Sequence, residues 1–294
     1  MIDHLPVLPE EILEYLQIHP NGIYVDATVG LGGHATEILK RLRPGGRLIC
    51  IDQDAETLAI TSKRIMEERI TFLKGNFENM TTLLADVGIE WVDGILMDLG
   101  LSSFQLLSST RGFSFRSSAP LDMRMDRSSE TTAADIVNHA SEKDLANIIY
   151  EYGEERYSRR IARAIVRGRP LRTCKELADL IESATKRRGK IHPATRTFQA
   201  LRIAVNRELD VLQKALESAA SLLFPEGRLC VISYHSLEDR IVKNSFRTMK
   251  GQGIFKLITS KPVTPGREEV LQNPRSRSAK LRVAEKLRQP EKDV

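Results

Sequence analysis

The stretch Ile23-Tyr-Val-Asp-Ala-Thr-Val-Gly-Leu-Gly-Gly-His34 decides the fold that we predict for this chain. Its first residues are apolar and suit a buried strand, and Gly30, Gly32 and Gly33 let the backbone turn sharply and lie close to a ligand. The following residues, Ala35 to Leu42, have the spacing of a helix. A strand, a glycine turn and a helix start form the nucleotide cradle of doubly wound folds. Because glycine-rich turns are common, an ordinary tight turn stays open on this stretch alone.

Several later segments are also predicted to be buried strands. They are Arg47–Asp52, Ile70–Lys74, Trp91–Asp98 and Arg228–Ser233, with short edge strands at Phe255–Ile258 and Leu281–Ala284. Three strands end in acids, Asp26, Asp52 and Asp98, and the carboxyl ends of parallel strands meet at one edge of a sheet. Asp52 follows Gly33 by 19 residues, the spacing at which such sites place a carboxylate on ribose hydroxyls, although an acid that caps the next helix also fits. Since buried strands seldom end in so many acids, the pattern predicts a ligand site.

The alternation of strands and helices stops after Phe104. An irregular segment is followed only by predicted helices, over Ala133–His139, Glu142–Tyr152, Glu155–Arg167, Cys174–Arg187 and a long final one, Thr195–Leu223. We therefore predict an α/β fold with a doubly wound, mostly parallel, Rossmann-like domain formed by residues 1–105 and 206–294. Residues 106–205 are predicted to form an inserted all-helical domain that recognises the substrate.

The net charge of +5 is unevenly distributed. Residues 156–207 carry 15 basic and 3 acidic side chains, whereas residues 1–155 carry 13 basic and 25 acidic ones. Such a block is often only a solvated helix face, but its density of arginine favours a phosphate backbone as partner. The residues expected to contact nucleic acid here are Arg156, Arg159, Arg160, Arg163, Lys186, Arg187, Arg188 and Lys190.

Other features exclude several classes of protein. No apolar run approaches the ~20 residues of a membrane helix, and the first residues lack the basic and apolar regions of an export signal, so we expect a cytoplasmic protein without a membrane partner. Cys50, Cys174 and Cys230 lie far apart and the six histidines are scattered, which predicts reduced structural cysteines and no metal.

Charge discriminates among the cofactors that a glycine cradle can bind. Phosphorylated cofactors favour helix amides and cations, and the lysine-bearing P-loop pattern is absent from the sequence. S-adenosylmethionine carries a sulfonium and an ammonium group but no phosphate. Asp26 and Asp98 therefore favour S-adenosylmethionine over a dinucleotide, while Asp52 suits the ribose of either.

Six longer runs resemble the bacterial 16S rRNA cytosine-N4 methyltransferases of the MraW type. They are Asp98–Ser103, Arg111–Phe115, Leu121–Asp126, His192–Arg202, Ile232–Arg240 and Asn273–Arg282, and the resemblance covers essentially the whole chain. It implies a class I S-adenosylmethionine-dependent domain interrupted by a helical domain. It also implies methylation of the exocyclic N4 amine of a decoding-region cytidine near the P site of the small ribosomal subunit. Where the family often has Phe or Tyr, this chain has Val29; where it often has Val, this chain has Leu101; and where it often has Phe, this chain has Tyr234. None of these differences removes a polar group.

The resemblance also implies positions for the cofactor and the catalytic groups. The implied cofactor contacts are Gly32, Gly33, His34, Asp52, Phe77, Asp98 and Gln105. Many amino methyltransferases have an Asp-Pro-Pro-Tyr type motif after the fourth strand, where this chain has Asp98-Leu-Gly-Leu, so the acceptor for the target amine stays open. Asp98 is the first catalytic candidate, holding either the cofactor amino group or the target amine. His235, with Glu238 and Asp239, is the second, and helix capping and surface pairing stay open for these three.

Aromatic and basic residues outside the basic block complete the predicted RNA site. Phe113 or Phe115 is expected to shield or stack the target base, which must leave any helix, although core packing stays open. The remaining predicted RNA contacts are Arg111, Arg275, Arg277 and Lys280.

Two other functions remain open from the sequence. One is a class I methyltransferase for a protein or small molecule, which the basic block argues against. The other is a non-catalytic ribosome-binding module, which has no need for the glycines and acids. The oligomeric state stays open between monomer and homodimer.

Overall fold

The computed structural model describes residues 5–185 and 192–288. The strands are β1 (Ile23–Asp26), β2 (Arg47–Asp52), β3 (Ile70–Lys74), β4 (Val92–Asp98), β5 (Leu223–Ser233), β6 (Phe255–Leu257) and β7 (Lys280–Lys286). The helices are α1 (Pro9–Leu16), α2 (Gly33–Leu39), α3 (Ala55–Arg64), α4 (Met80–Ala85), α5 (Ser103–Leu107), α6 (Ala133–His139), α7 (Glu142–Gly153), α8 (Ser158–Gly168), α9 (Cys174–Thr185), α10 (Thr195–Asn206), α11 (Glu208–Leu222), α12 (Ser236–Gly251) and α13 (Arg267–Gln272). Two 3₁₀ helices cover Phe77–Asn79 and Pro274–Ser278.

The chain divides into two compact units. The described residues of Met1–Ser102 and Leu209–Val294 form the first unit, and the described residues of Ser103–Glu208 form the second. All seven strands belong to the first unit, and the second unit contains helices α5 to α10. The insertion predicted from the sequence, residues 106–205, lies within the second unit, which begins at Ser103 and ends at Glu208. No helix in the described part of the chain is long and apolar enough to cross a membrane.

The first unit is built on one sheet with the strand order β3-β2-β1-β4-β5-β7-β6, in which β7 runs antiparallel to both of its neighbours. Successive strand residues point to opposite faces, and here both faces are covered. Val25 and Ile49 belong to one core cluster, while Tyr24 and Leu48 belong to the other. Burial on both faces explains the continuous apolar runs of the sequence and confirms the predicted Rossmann-like α/β fold.

The three cysteines are all buried, and none forms a disulfide. Cys50 lies in β2 and Cys230 in β5, within the core. Burial raises the pKa of each thiol above its usual value. The prediction of reduced, structural cysteines is confirmed.

Two predictions about elements are wrong. Leu281–Ala284, expected as an edge strand, belongs to β7, which pairs with both β5 and β6. The single long helix over Thr195–Leu223 is two helices, α10 and α11. Between them Arg207 has a φ of 51°, in the left-handed region, which ends α10. The last residue of α10, Asn206, accepts a hydrogen bond from the Met125 amide at 2.8 Å and donates one to the Met123 carbonyl at 2.8 Å. The break therefore follows from contacts with the irregular segment of the second unit, which helical spacing does not reveal.

Candidate functional site

The glycine turn after β1 adopts a conformation that favours glycine. Gly30 and Gly32 have φ values of 51° and 78°. A Cβ on Gly32 would lie 2.5 Å from Ile65 Cδ1 and 2.9 Å from Thr61 Cγ2, so the turn packs closely on α3 and the residue after it. The Thr61 hydroxyl also donates to the Gly30 carbonyl at 2.5 Å. The turn is therefore held rigidly at the start of α2.

Asp52, at the end of β2, is oriented by two backbone amides. Its Oδ2 accepts from Gly30 N at 3.0 Å and its Oδ1 accepts from Asp54 N at 2.9 Å. Burial raises the pKa of Asp52 to about 7. The capping of α3 is done by Asp54, whose side chain accepts from the amides of Glu56 and Thr57. The open alternative, that Asp52 only caps this helix, is therefore wrong.

The end of β1 is tied to the end of β4 through Thr28. The Thr28 hydroxyl accepts from Asp98 N at 2.7 Å, and the Thr28 amide donates to Asp26 Oδ1 at 3.2 Å. Asp26 is only 1% exposed, and burial raises its pKa to about 6 against the opposing positive charge of His34. A second buried carboxylate thus lies beside the glycine turn.

Asp98 lies between two side chains. Its Oδ1 accepts from the Tyr234 hydroxyl at 2.7 Å, and its Oδ2 lies 3.6 Å from His34 Nε2. Burial lowers the pKa of His34, but the close contact with Asp98 and the negative charges of Asp98 and Asp26 outweigh it and raise that pKa. The Asp98 side chain is 17% exposed. Of the two rim acids Asp26 and Asp98, Asp98 is the one that a ligand can reach from solvent.

Phe77 begins the 3₁₀ helix after β3 and packs, half-buried, against the core. The amide that follows β3, Gly75 N, donates to the Asp52 carbonyl at 3.0 Å. The Asn76 side chain donates to Gln53 Oε1 at 3.0 Å, which links the loops after β3 and β2. These contacts place Phe77 at the same edge of the sheet as Asp52.

The residues predicted to contact the cofactor are thus partly assembled. Those of the first unit, namely Gly32, Gly33, His34, Asp52, Phe77 and Asp98, follow the carboxyl ends of β1 to β4. Gln105 is buried in α5 of the second unit. The contact of each with a cofactor stays a prediction.

The second catalytic candidate, His235, is a helix cap. Its Nδ1 accepts from Glu238 N at 3.3 Å, and its Nε2 lies 3.1 Å from Glu238 Oε1. Glu238 Oε2 in turn accepts from the amides of Tyr234 at 2.8 Å and His235 at 3.2 Å. Asp239 accepts from Arg282 Nε at 2.7 Å and Lys280 Nζ at 3.2 Å. Capping and ion pairing engage these side chains and Lys280 within the fold, while a catalytic role for His235 and an RNA contact for Lys280 stay predictions.

Two of the predicted RNA contacts in the irregular segment are core residues. Arg111 is 0% exposed and donates to the carbonyls of Arg124 at 3.0 Å and Met125 at 2.8 Å, so its guanidinium is not available to a phosphate. Phe113 is buried as well. Phe115 is half-buried and stacks on His192, with ring centroids 4.5 Å apart. The predicted RNA contact of Arg111 is wrong because burial and backbone hydrogen bonds engage it within the fold.

Helix α8 and the residues just before it carry four of the predicted RNA contacts. The apolar residues Ile161 and Ile165 of α8 are buried, whereas Arg159, Arg160 and Arg163 on α8 and Arg156 just before it are exposed. Arg163 lies 3.4 Å from an exposed carboxylate, Glu142. Arg275 and Arg277 are exposed on the 3₁₀ helix before β7. The predicted contacts Lys186, Arg187, Arg188 and Lys190 lie outside the described residues.

Sequence reasoning missed three residues around Asp98. Thr28 and Tyr234 follow the ends of β1 and β5, so the argument that identified the strand-end acids would also have found them. Glu269, on α13, accepts from Leu8 N at 2.8 Å, and its charge helps raise the pKa values of His34 and Tyr234. The sequence pattern did not indicate Glu269, because this residue is remote in sequence from every strand end of the site.

Known proteins are similar to this chain over nearly its whole length. A protein of Koribacter versatilis is 50% identical over 96% of this chain and 93% of its own length. One of Geobacter sulfurreducens is 50% identical over 97% of this chain and 99% of its own length. Both are named ribosomal RNA small subunit methyltransferase H. A solved rRNA methylase from Streptococcus thermophilus covers 98% of this chain and 99% of its own at 14% identity and a TM-score of 0.45, a likeness too weak to carry an argument.

The family model of the MraW methylases matches residues 1–287. The match spans both units and includes every segment that builds the strand-end site. The chain therefore belongs to the MraW methylase family.

Proposed function

We propose that this chain transfers a methyl group from S-adenosylmethionine to the exocyclic N4 amine of a P-site cytidine in 16S rRNA. The substrate is then the small ribosomal subunit, and the site of action is the cytoplasm. The names of relatives at 50% identity support rRNA of the small subunit. The resemblance of the sequence motifs supports the N4 amine. The observation that carries the proposal is the partly exposed Asp98 carboxylate, tied through Thr28 to the buried Asp26 at the glycine turn, with the Asp52 carboxylate held by an amide of that turn.

S-adenosylmethionine is the methyl donor of the family, and it supplies an electrophilic methyl group on a sulfonium sulfur. The residues after β1 and β2 fit such a ligand. Asp26 and Asp52 are carboxylates whose pKa values burial has raised, and a cationic ligand favours their ionised form. Asp52 is oriented by two amides, as a carboxylate that binds ribose hydroxyls must be. The rigid turn at Gly30 and Gly32 lets a ligand approach the backbone.

We assign to Asp98 the hydrogen bond from the target amine. The lone pair of a cytosine N4 amine is delocalised into the ring, and an acceptor for its N–H draws that pair out of conjugation. During transfer the nitrogen gains a carbon bond and must lose one proton. Asp98 is suited to receive that proton because it is partly exposed and because Tyr234 and His34 fix its orientation.

The arginines of α8 supply the proposed grip on RNA. A helix that buries Ile161 and Ile165 and exposes Arg159, Arg160 and Arg163 presents its positive charges on the solvent side. Such charges displace the counterions of a phosphate backbone and so provide affinity without sequence specificity. The site around Asp98 then determines which cytidine is methylated.

The proposal is tested by incubating the protein with methyl-labelled S-adenosylmethionine and one of three acceptors: naked 16S rRNA, intact small subunits or total cell protein. Nuclease digestion and mass spectrometry should identify N4-methylcytidine at one decoding-region position. Label on protein, on another nucleotide or nowhere would contradict the proposal.

The same assay tests the role of Asp98. Asp98→Asn keeps the shape but removes the carboxylate, and it should lower the rate by about 100-fold or more. Asp86→Asn, at an exposed acid on the end of α4, is the matched control and should retain full activity.

A further inference from the structure

We propose that Tyr234 is a positioning residue for methyl transfer: its hydroxyl fixes the orientation of the Asp98 carboxylate that accepts from the target amine. This inference rests on the role proposed for Asp98. Neither the motifs nor the relatives assign any role to Tyr234.

The first step is the geometry of the contact. The Tyr234 hydroxyl donates to Asp98 Oδ1 at 2.7 Å. The other oxygen, Oδ2, faces His34 Nε2 at 3.6 Å, and the Asp98 amide is held by Thr28 at 2.7 Å. With Oδ1 engaged by a phenol, Oδ2 beside His34 and the backbone fixed, the partly exposed carboxylate is held in one orientation.

The second step is that Tyr234 is itself held in place. It follows the end of β5, and its amide donates to Glu238 Oε2 at 2.8 Å, the same oxygen that the His235 amide reaches at 3.2 Å. Glu238 is 3% exposed and closes the capping box of α12. The end of a core strand and the start of a long helix therefore both fix the tyrosine, so its hydroxyl reaches Asp98 without a rearrangement.

The third step is the protonation state. Burial and the neighbouring negative charges of Asp98, Glu238 and Glu269 hold the pKa of Tyr234 well above its usual value. Tyr234 is thus a neutral phenol at every pH at which the enzyme would work, and toward a carboxylate it can only donate. The hydrogen bond therefore has one direction, from the phenol to the Asp98 carboxylate.

Tyr234→Phe keeps the ring and its packing while removing only the donor. The substitution is therefore compatible with the fold, and its effect reports on the hydrogen bond to Asp98.

The matched control is Tyr24→Phe, on β1. The Tyr24 hydroxyl is also buried and hydrogen-bonded, accepting from His19 N at 2.7 Å and donating to the Gln17 carbonyl at 3.3 Å. It makes no contact with Asp98 among the described hydrogen bonds, so its loss reports the general effect of removing a buried tyrosine hydroxyl.

The experiment measures kcat and the KM for S-adenosylmethionine on small subunits for the wild type and both variants. For Tyr234→Phe we expect kcat to fall about tenfold, the effect of one hydrogen bond to a charged group, with the KM for S-adenosylmethionine unchanged.

The outcomes are separable. Unchanged kcat overturns the inference, and so does a fall in kcat no larger than that of Tyr24→Phe. A raised KM for S-adenosylmethionine with unchanged kcat also overturns it, since Asp98 would then hold the cofactor. Failure of the proposed function would give a different result, because Asp98→Asn would then remain active.

Discussion

Two of the strand-end carboxylates titrate near neutral pH. Burial raises the pKa of Asp26 to about 6 and that of Asp52 to about 7. A cationic ligand favours their ionised forms, so binding below neutral pH must release protons. We expect the affinity for S-adenosylmethionine to fall as the pH is lowered from about 8 to about 6. Isothermal titration calorimetry near pH 6.5, in buffers of different ionisation enthalpy, should show proton release; an affinity independent of pH would contradict the assignment.

Gly112, in the run Arg111–Phe115, offers a test of packing at a single residue. Its φ is 70°, and a Cβ there would lie 2.3 Å from the Pro120 carbonyl oxygen and 2.9 Å from Asp122 N. Gly88 has a matching φ of 71°, but a Cβ on Gly88 would meet nothing within 4 Å, so this position isolates the backbone cost. Gly88→Ala should cost about 1–2 kcal/mol in the free energy of unfolding. Gly112→Ala should cost about 1–3 kcal/mol more, measured by urea unfolding, because backbone atoms must move.

At the residue scale, the strand-end acids could be predicted from the sequence, whereas the side chains that contact them could not. Asp52 and Asp98 could be identified because strand ends and glycine spacing are local patterns. The partners that orient Asp98 could not, because Tyr234 is 136 residues away along the chain. The burial of Arg111 was equally hidden, since an arginine in an irregular segment has the same local pattern whether it donates to carbonyls or to phosphates.

Helix α8 is the element on which the RNA proposal depends. Reversing two exposed charges, Arg159→Glu with Arg160→Glu, should weaken binding to small subunits and reduce the salt slope of log K by about one per arginine. The affinity for S-adenosylmethionine should not change. Arg41→Glu, at an exposed arginine of the first unit, is the control. RNA binding with an unaltered salt slope would remove α8 from the interface.

Element boundaries were predictable where hydrophobic pattern alone sets them. The strands β2 and β3 and the helix α6 have the predicted bounds, because buried runs and a Thr132 cap with Asp135 mark them. The division between α10 and α11 was not predictable. Both helices are amphipathic, and the chain is broken at Arg207 by tertiary contacts of Asn206 rather than by proline or glycine.

The stability of the whole molecule should depend on pH through the same buried groups. A carboxyl whose folded pKa is raised stabilises the fold below its unfolded pKa, and this contribution is lost as the pH rises through the folded value. For Asp26, a rise from 3.8 to about 6 corresponds to about 3 kcal/mol, and Asp52 and His34 act in the same direction. The melting temperature should therefore fall by several degrees between about pH 5 and pH 8.

Asp26→Asn should flatten this dependence, whereas Asp86→Asn, at an exposed acid, should leave it unchanged. Saturating S-adenosylmethionine should raise the melting temperature more at about pH 8 than at about pH 6. Differential scanning fluorimetry across this range is sufficient. A melting temperature that rises with pH over the same range would show that other groups dominate.

At the scale of the chain, composition predicted a helical insertion with a dense positive charge, and the structure has a helical unit at Ser103–Glu208. Alternation of strands and helices is a long-range pattern, which is why the sheet and the change to helices could be predicted from sequence. The reversed direction of β7 could not, because a strand's pattern is the same in both directions.

The burial of all three cysteines makes the native protein almost inert to thiol-reactive dyes. Cys50, Cys174 and Cys230 are inaccessible, and their raised pKa values leave little thiolate to react. A cysteine introduced at one surface position can therefore carry a fluorophore or spin label at a single place without prior removal of native thiols. A label on α8, at Arg163, would report subunit binding spectroscopically, and a second label in the first unit would allow distance measurements in solution.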